Sequence, residues 1–127
     1  MGGARSFRKE KLEKEIVRET SRILLYEMKD PRMGFLTLTR AKVSPDYRYA
    51  KIYVSILGEE KQKRGTMAAI EHAHGFIQRE LAHRIRLRTF PEVTFVLDES
   101  VEKTFQMIQL IDGLTKERDA KSKEEEE

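Results

Sequence analysis

Two stretches of strict alternation, joined by a proline turn and flanked on both sides by helical periodicity, constrain this chain more than any other feature. "FLTLTRAKV" (35–43) places Phe35, Thr37, Thr39, Ala41 and Val43 on one face, with Leu36, Leu38, Arg40 and Lys42 on the other. "YAKIYVSIL" (49–57) gathers Ala50, Ile52, Val54 and Ile56 opposite Lys51, Tyr53 and Ser55. Between them "SPDYR" supplies turn residues, so the pair reads as a hairpin with a loop longer than the tightest kind. Each strand has an apolar face, which predicts a sheet covered on one side and wet on the other.

What covers it is written at helical spacing. Leu12, Ile16, Ile23, Leu24 and Met28 recur through residues 6–29, with Ser6 as a candidate N-cap and the Pro31 and Gly34 of "KDPRMG" as the stop. After a polar loop, "GEEKQKRG" (58–65), a second helical region runs from Thr66 to about Arg88. A short strand, Val93 to Leu97, follows Pro91. An amphipathic stretch from Val101 to about Ile111 carries Phe105, Ile108 and Ile111, and Gly113 is its predicted end. The order is helix, strand, strand, helix, strand, with a short closing helix. That order predicts an α+β domain over residues 1–111, its helices packed on one face of a small three-stranded sheet. Residues 112–127 are charged and have too few apolar groups to fold, so a disordered tail is expected there.

Composition narrows the function classes. The 127 residues suit one core, and the absence of cysteine excludes disulfides and thiolate metal sites. No apolar run approaches a membrane span and no signal-peptide core opens the chain, so a soluble cytoplasmic protein is expected. The formal charge is +3, but residues 115–127 contribute −2, leaving +5 on the rest. A basic body favours an anionic partner.

Catalytic and metal chemistry find no support. Two Glu-x-x-His pairs, Glu71/His74 and Glu80/His83, lie nine residues apart and point to opposite sides of a straight helix. The Gly58–Thr66 stretch lacks the spacing of a phosphate loop. No acid–base pair or nucleophile constellation stands out, so neither an enzyme nor a cofactor is expected.

The basic surplus concentrates in "AHGFIQRELAHRIRLR" (73–88). At 100° per residue Ile70, Ala73, Ile77, Leu81 and Ile85 form an apolar stripe, and His72, Gly75, Arg79, His83 and Arg86 form another on the opposite side. A glycine away from the core has three readings. It gives a phosphate access to bare backbone, it breaks the helix to expose a fresh N-terminus, or it merely bends the helix around the sheet.

"KDPRMGFLTLTRAKVSPDYRYAKIYVSILG", "AHGFIQRELAHRIRLR" and "PEVTFVLDES", in that order, resemble the bacterial ribosome-binding factor A family over roughly residues 5–110. The resemblance implies a KH-like fold of the type II order (α-β-β-α-β). In that fold an Ala-x-Gly kink, fitted here by Ala73-His74-Gly75, replaces the usual Gly-x-x-Gly loop. It also implies a role: a non-catalytic assembly factor of ribosome biogenesis. Such a factor binds the free, immature small ribosomal subunit through 16S rRNA and assists late rRNA processing, including the 5′ end, with importance in cold adaptation.

The expected contacts centre on Gly75, Arg79, Arg84, Arg86 and Arg88, with His72, His74 and His83 on the same helical region. Lys61, Lys63 and Arg64 extend the positive surface from the polar loop, and Arg40, Lys42, Arg48 and Lys51 line the hairpin. Lys29 and Arg32 flank the helix-ending turn, and Tyr47, Tyr49 and Tyr53 are candidates for base stacking. The protein is expected to act as a monomer, away from membranes. A competing reading is an interaction adaptor whose basic face meets an acidic protein.

Overall fold

A computed structural model describes the backbone of residues 2–28 and 33–126, and the side-chain surroundings of residues 8–28, 33–100 and 103–115. Lys29 and Arg32, with the predicted Pro31 stop, lie outside the described residues. The first helix, α1, spans Gly2–Arg22 and continues into a π-helical turn, Ile23–Glu27. The sheet contains β1 (Leu36–Val43), β2 (Tyr49–Ile56) and β3 (Glu92–Leu97) in that spatial order. Strands β1 and β2 are antiparallel and β3 lies parallel to β2. The crossover between β2 and β3 holds two helices, α2 (Glu60–His72) and α3 (His74–Arg84). A last helix, α4, runs Ser100–Glu126. This is the predicted α+β class in the KH-like α-β-β-α-β order.

The core is built from the predicted apolar stripes. Leu12, Ile16, Ile23 and Leu24 of the first helical element meet Ile70, Ile77, Leu81 and Ile85 and the inner face of the sheet. Each such side chain contributes about 1.5–3 kcal/mol on burial. The π-helical turn closes with Met28 N–H donating to Ile23 O at 3.1 Å. Such a turn holds one residue more than an α-turn, and Ile23 and Leu24 are both buried in it.

Strand β1 corrects the predicted alternation. A bulge between Leu38 and Arg40 leaves Thr39 without a register partner. Leu38, Ala41 and Val43 all face the core in consequence, while Thr37, Thr39, Arg40 and Lys42 face out and Phe35 is exposed. The extra residue of a bulge shifts the phase of a two-residue repeat, and that shift reunites two apolar half-patterns.

Helix boundaries also differ from the expectation. The predicted polar loop 58–65 is largely the first turn and a half of α2. A reciprocal cap explains it: the Glu59 side chain accepts from the Gln62 backbone, and Gln62 Oε1 accepts from Glu59 N–H at 2.9 Å. Gly58 enters this cap at φ 139°, where an added Cβ would collide with the Gln62 side chain. At the other end of the chain, α4 continues through Gly113 to Glu126 in place of the expected stop and unfolded tail. One glycine costs only about 1 kcal/mol in a helix, and the Lys, Glu and Ala that follow are strong helix formers. Residues 103–115 are exposed throughout, including Phe105, Ile108 and Ile111.

Candidate nucleic-acid interface

The helical region 60–84 breaks at one residue. Ala73 has φ −90° and ψ 4°, and its N–H is shared between Ala69 O and Ile70 O, both at 3.1 Å. It serves as the N-cap of α3 with no side-chain cap, since alanine carries no acceptor. First-turn N–H groups have no partner within their own helix, and the helix dipole favours an anion at that end. The break falls on the Ala-x-Gly that the resemblance singled out. Gly75 is exposed just inside it, and an added Cβ would meet only Arg79 Nη1 at 3.6 Å. Packing space therefore does not require glycine.

Behind the break, two side chains of α3 fasten it to the outer edge of β3. Gln78 Nε2 donates to Pro91 O at 2.8 Å while its Oε1 accepts from Val93 N–H at 2.8 Å. His74 Nε2 donates to Val93 O at 2.5 Å, and its ring meets Phe95 edge-on. Gln78 thus does for the edge strand what another strand's peptide would do. Nothing in the local sequence distinguishes this glutamine from a surface one.

The residues of the predicted outer stripe, His72, Gly75, Arg79, His83 and Arg86, are all exposed, as is Arg88 beyond the helix. Three of the other predicted contacts have different surroundings. Arg84 is committed to carboxylates: it bonds Glu27 and Glu80, the latter at 3.2 Å, and lies 3.6 Å from Glu19. The bonds that Arg84 donates to Glu27 hold its pKa above the ordinary value. Lys63 is 5% exposed, a buried residue of α2 rather than one standing in a loop. His74 is half-buried, with Nε2 occupied by the Val93 carbonyl. Lys61 and Arg64 remain exposed on α2.

The hairpin cations form a separate group. Helices cover one face of the sheet, so Arg40, Lys42 and Lys51 on the open face point away from the Arg79 stripe. Lys42 and Lys51 stand directly opposite each other across β1 and β2. Like charges so placed repel, and an anion between them would relieve the repulsion. The Arg40 guanidinium lies 4.3 Å from the Tyr53 ring centre. Nearby, Asp98 accepts from Ser100 N–H at 2.9 Å and from Thr39 Oγ1 at 2.8 Å. The Ser100 bonds, then that from Thr39, hold its pKa at about 2. Arg48 sits in the hairpin turn 4.0 Å from Asp46. No helix among the described residues is long and apolar enough to cross a membrane.

Comparison with known proteins agrees with this arrangement. The family model described as ribosome-binding factor A matches residues 8–111. A ribosome-binding factor A of Dictyoglomus thermophilum is 45% identical over 116 residues, covering 89% of this chain and 97% of the relative. One from Aromatoleum aromaticum is 37% identical over 120 residues, covering 94% of each. Among solved structures, the crystal structure of ribosome-binding factor A from Thermus thermophilus matches with a TM-score of 0.64 at 27% identity, covering 72% of this chain and 97% of that one. A homology model of the Thermus thermophilus factor, as fitted into the cryo-EM map of a 30S complex with it, matches with a TM-score of 0.57 at 25% identity, covering 68% and 91%. With the break at Ala73, the strand order and the family model in agreement, the chain belongs to the ribosome-binding factor A family.

Proposed function

We propose that this protein binds the immature small ribosomal subunit through 16S rRNA and assists late maturation of that RNA, including its 5′ end, without making or breaking bonds. It acts in the cytoplasm as a monomer, and the body formed by residues 1–111 carries the binding. The relatives' name and the 30S complex of the Thermus thermophilus factor support the partner. The observation that carries the reading is the start of α3 at Ala73 without a side-chain cap, followed by exposed Arg79 and His83 on the helix and exposed Arg86 just past its end. A sugar–phosphate strand laid along that side meets the bare backbone at Gly75 first and guanidinium groups after.

The test is co-sedimentation of the double variant Arg79→Glu/Arg86→Glu with small subunits from cells lacking the protein. Binding should be lost with the melting temperature unchanged, since both side chains are exposed. The single variant Arg79→Glu should lower the slope of log affinity against log salt on single-stranded RNA by about 0.7. Unchanged co-sedimentation of the double variant would refute the assignment. A salt-insensitive complex with an acidic protein, without RNA affinity, would assign the adaptor role instead.

A further inference from the structure

An open cleft of about 630 Å³ lies at the far end of α3, between the first half of α1 and the turn joining β1 to β2. Three cations line it, Arg8 and Lys11 from α1 and Arg86 from just past α3, against one acid, Glu15. Its apolar wall includes Ile85, and Tyr47 of the hairpin turn, half-buried against the core, is the one aromatic among its described residues. Arg86 also ends the exposed set that starts at His72, so the cleft continues the candidate interface at its far end.

Tyr47 holds its place at a cost. Its φ is +60°, the left-handed region that glycine or asparagine usually fills. The turn is fastened so that this conformation persists. Tyr47 N–H donates to Ser44 O at 2.9 Å, and Ser44 Oγ donates to Asp46 Oδ1 at 2.7 Å while accepting from Tyr49 N–H at 3.0 Å. Asp46 Oδ1 accepts further from Arg48 N–H at 3.1 Å. A tyrosine kept where glycine would be easier, in a turn stapled by its neighbours and packed in part against the core, is held at a fixed place beside the cleft.

We propose that this cleft seats one unpaired nucleotide of an RNA strand, its base against the Tyr47 ring and its phosphate between Lys11 and Arg86. The volume suits a single nucleotide, and the surplus of cations over Glu15 matches a phosphate. A base stacks on an aromatic ring whatever its identity, so the cleft selects an unstacked residue over a paired one. This inference rests on the RNA-binding role proposed above and names what lies at the end of the helical stripe.

The test titrates the full-length protein with a ten-nucleotide oligouridylate and with the same backbone lacking bases, each fluorescently labelled. The wild-type protein should prefer the base-bearing strand by about tenfold. Tyr47→Asn, which suits the left-handed backbone but lacks the ring, should lose that preference. Tyr47→Phe should keep it. Lys11→Glu, an exposed substitution that leaves the fold alone, should weaken both strands and lower the salt slope by about 0.7. An unaltered preference in Tyr47→Asn, or unaltered affinity in Lys11→Glu, would overturn the proposal. So would displacement of the strand by micromolar uridine monophosphate, which marks a free-nucleotide site, or by a ten-residue glutamate peptide, which marks a protein partner. Small-subunit co-sedimentation run in parallel separates the two readings. Retained subunit binding without base preference overturns the cleft alone, whereas loss of subunit binding by the wild-type protein overturns both.

Discussion

Arg79 and Arg84 stand five residues apart on one short helix, and their surroundings are opposite. Arg79 projects into solvent beside Gly75. Arg84 faces back toward α1 and the π-helical turn, where Glu19 and Glu27 join Glu80 of its own helix around one guanidinium. A run of arginines is therefore two surfaces, one that holds the helices together and one that is available. The difference lies in what the opposing helix brings up, not in the arginines.

Removing Arg84 is the hardest blow to that division. Arg84→Gln removes the cation shared by three carboxylates and, among the described residues, leaves only Glu19 with others nearby, Arg22 at 3.0 Å and Arg18 at 3.7 Å. Arg84 is 23% exposed and Glu19 13%, between the fully exposed and fully buried cases. Exposed pairs contribute under about 1 kcal/mol and breaking buried ones costs about 3–5, so a loss of about 2 kcal/mol is expected. For a chain of this size that is a fall of roughly 5–10 °C in melting temperature, whereas Arg79→Gln should shift it by less than about 2 °C. A calorimetric scan in which the two variants melt alike would erase the distinction.

Arg40 is intermediate, exposed on the sheet yet engaged by Tyr53 and by the field of Asp98, and acid sharpens the comparison there. Asp98 has a folded pKa of about 2 against an ordinary 3.8. The native state thus favours its charged form, so the stabilisation is full above pH 4 and disappears as pH falls toward 2. Solvent screening limits it to about 1 kcal/mol. Asp98→Asn should be less stable than the wild-type protein at pH 6 and equal to it near pH 2. RNA binding at neutral pH should be unchanged in that variant, because Asp98 is remote from α3's outer side. A stability gap that persists undiminished at pH 2 would show that the carboxylate's charge is not the cause.

The elements that share a face at a single period were legible from the residues: Ile70, Ile77, Leu81 and Ile85 are buried and the opposite stripe is exposed. Periodicity registers which side of one element is apolar. It is blind to a partner contributed by another element, so nothing in it set Arg84 apart when the clustering of charge grouped that residue with Arg79. It also assumes a constant period, which is why the bulge at Thr39 put Leu38 on the wrong face. The polar start of α2 looked like a loop because a capping box is made of the residue types that populate loops. Gln78 gave no signal at all, since its role is fixed by the edge of a strand fourteen residues later.

Gly75→Ala has the smallest expected effect on stability and is the most discriminating for function. The added methyl would find ordinary contact with Arg79 Nη1 and nothing else within 4 Å. Alanine restricts the unfolded chain more than glycine does, so the variant should be equal to the wild-type protein or more stable by up to about 0.5 kcal/mol, less than in a helix interior because Gly75 is in the first turn. If the bare backbone exists so that a phosphate can come against the start of α3, the same methyl stands in its path. Small-subunit affinity should then fall severalfold in a protein that melts no earlier. Unchanged affinity would leave the glycine with only a bend between α2 and α3 to account for it. The contact surface would then be the guanidinium side of the helix, without its N-terminus.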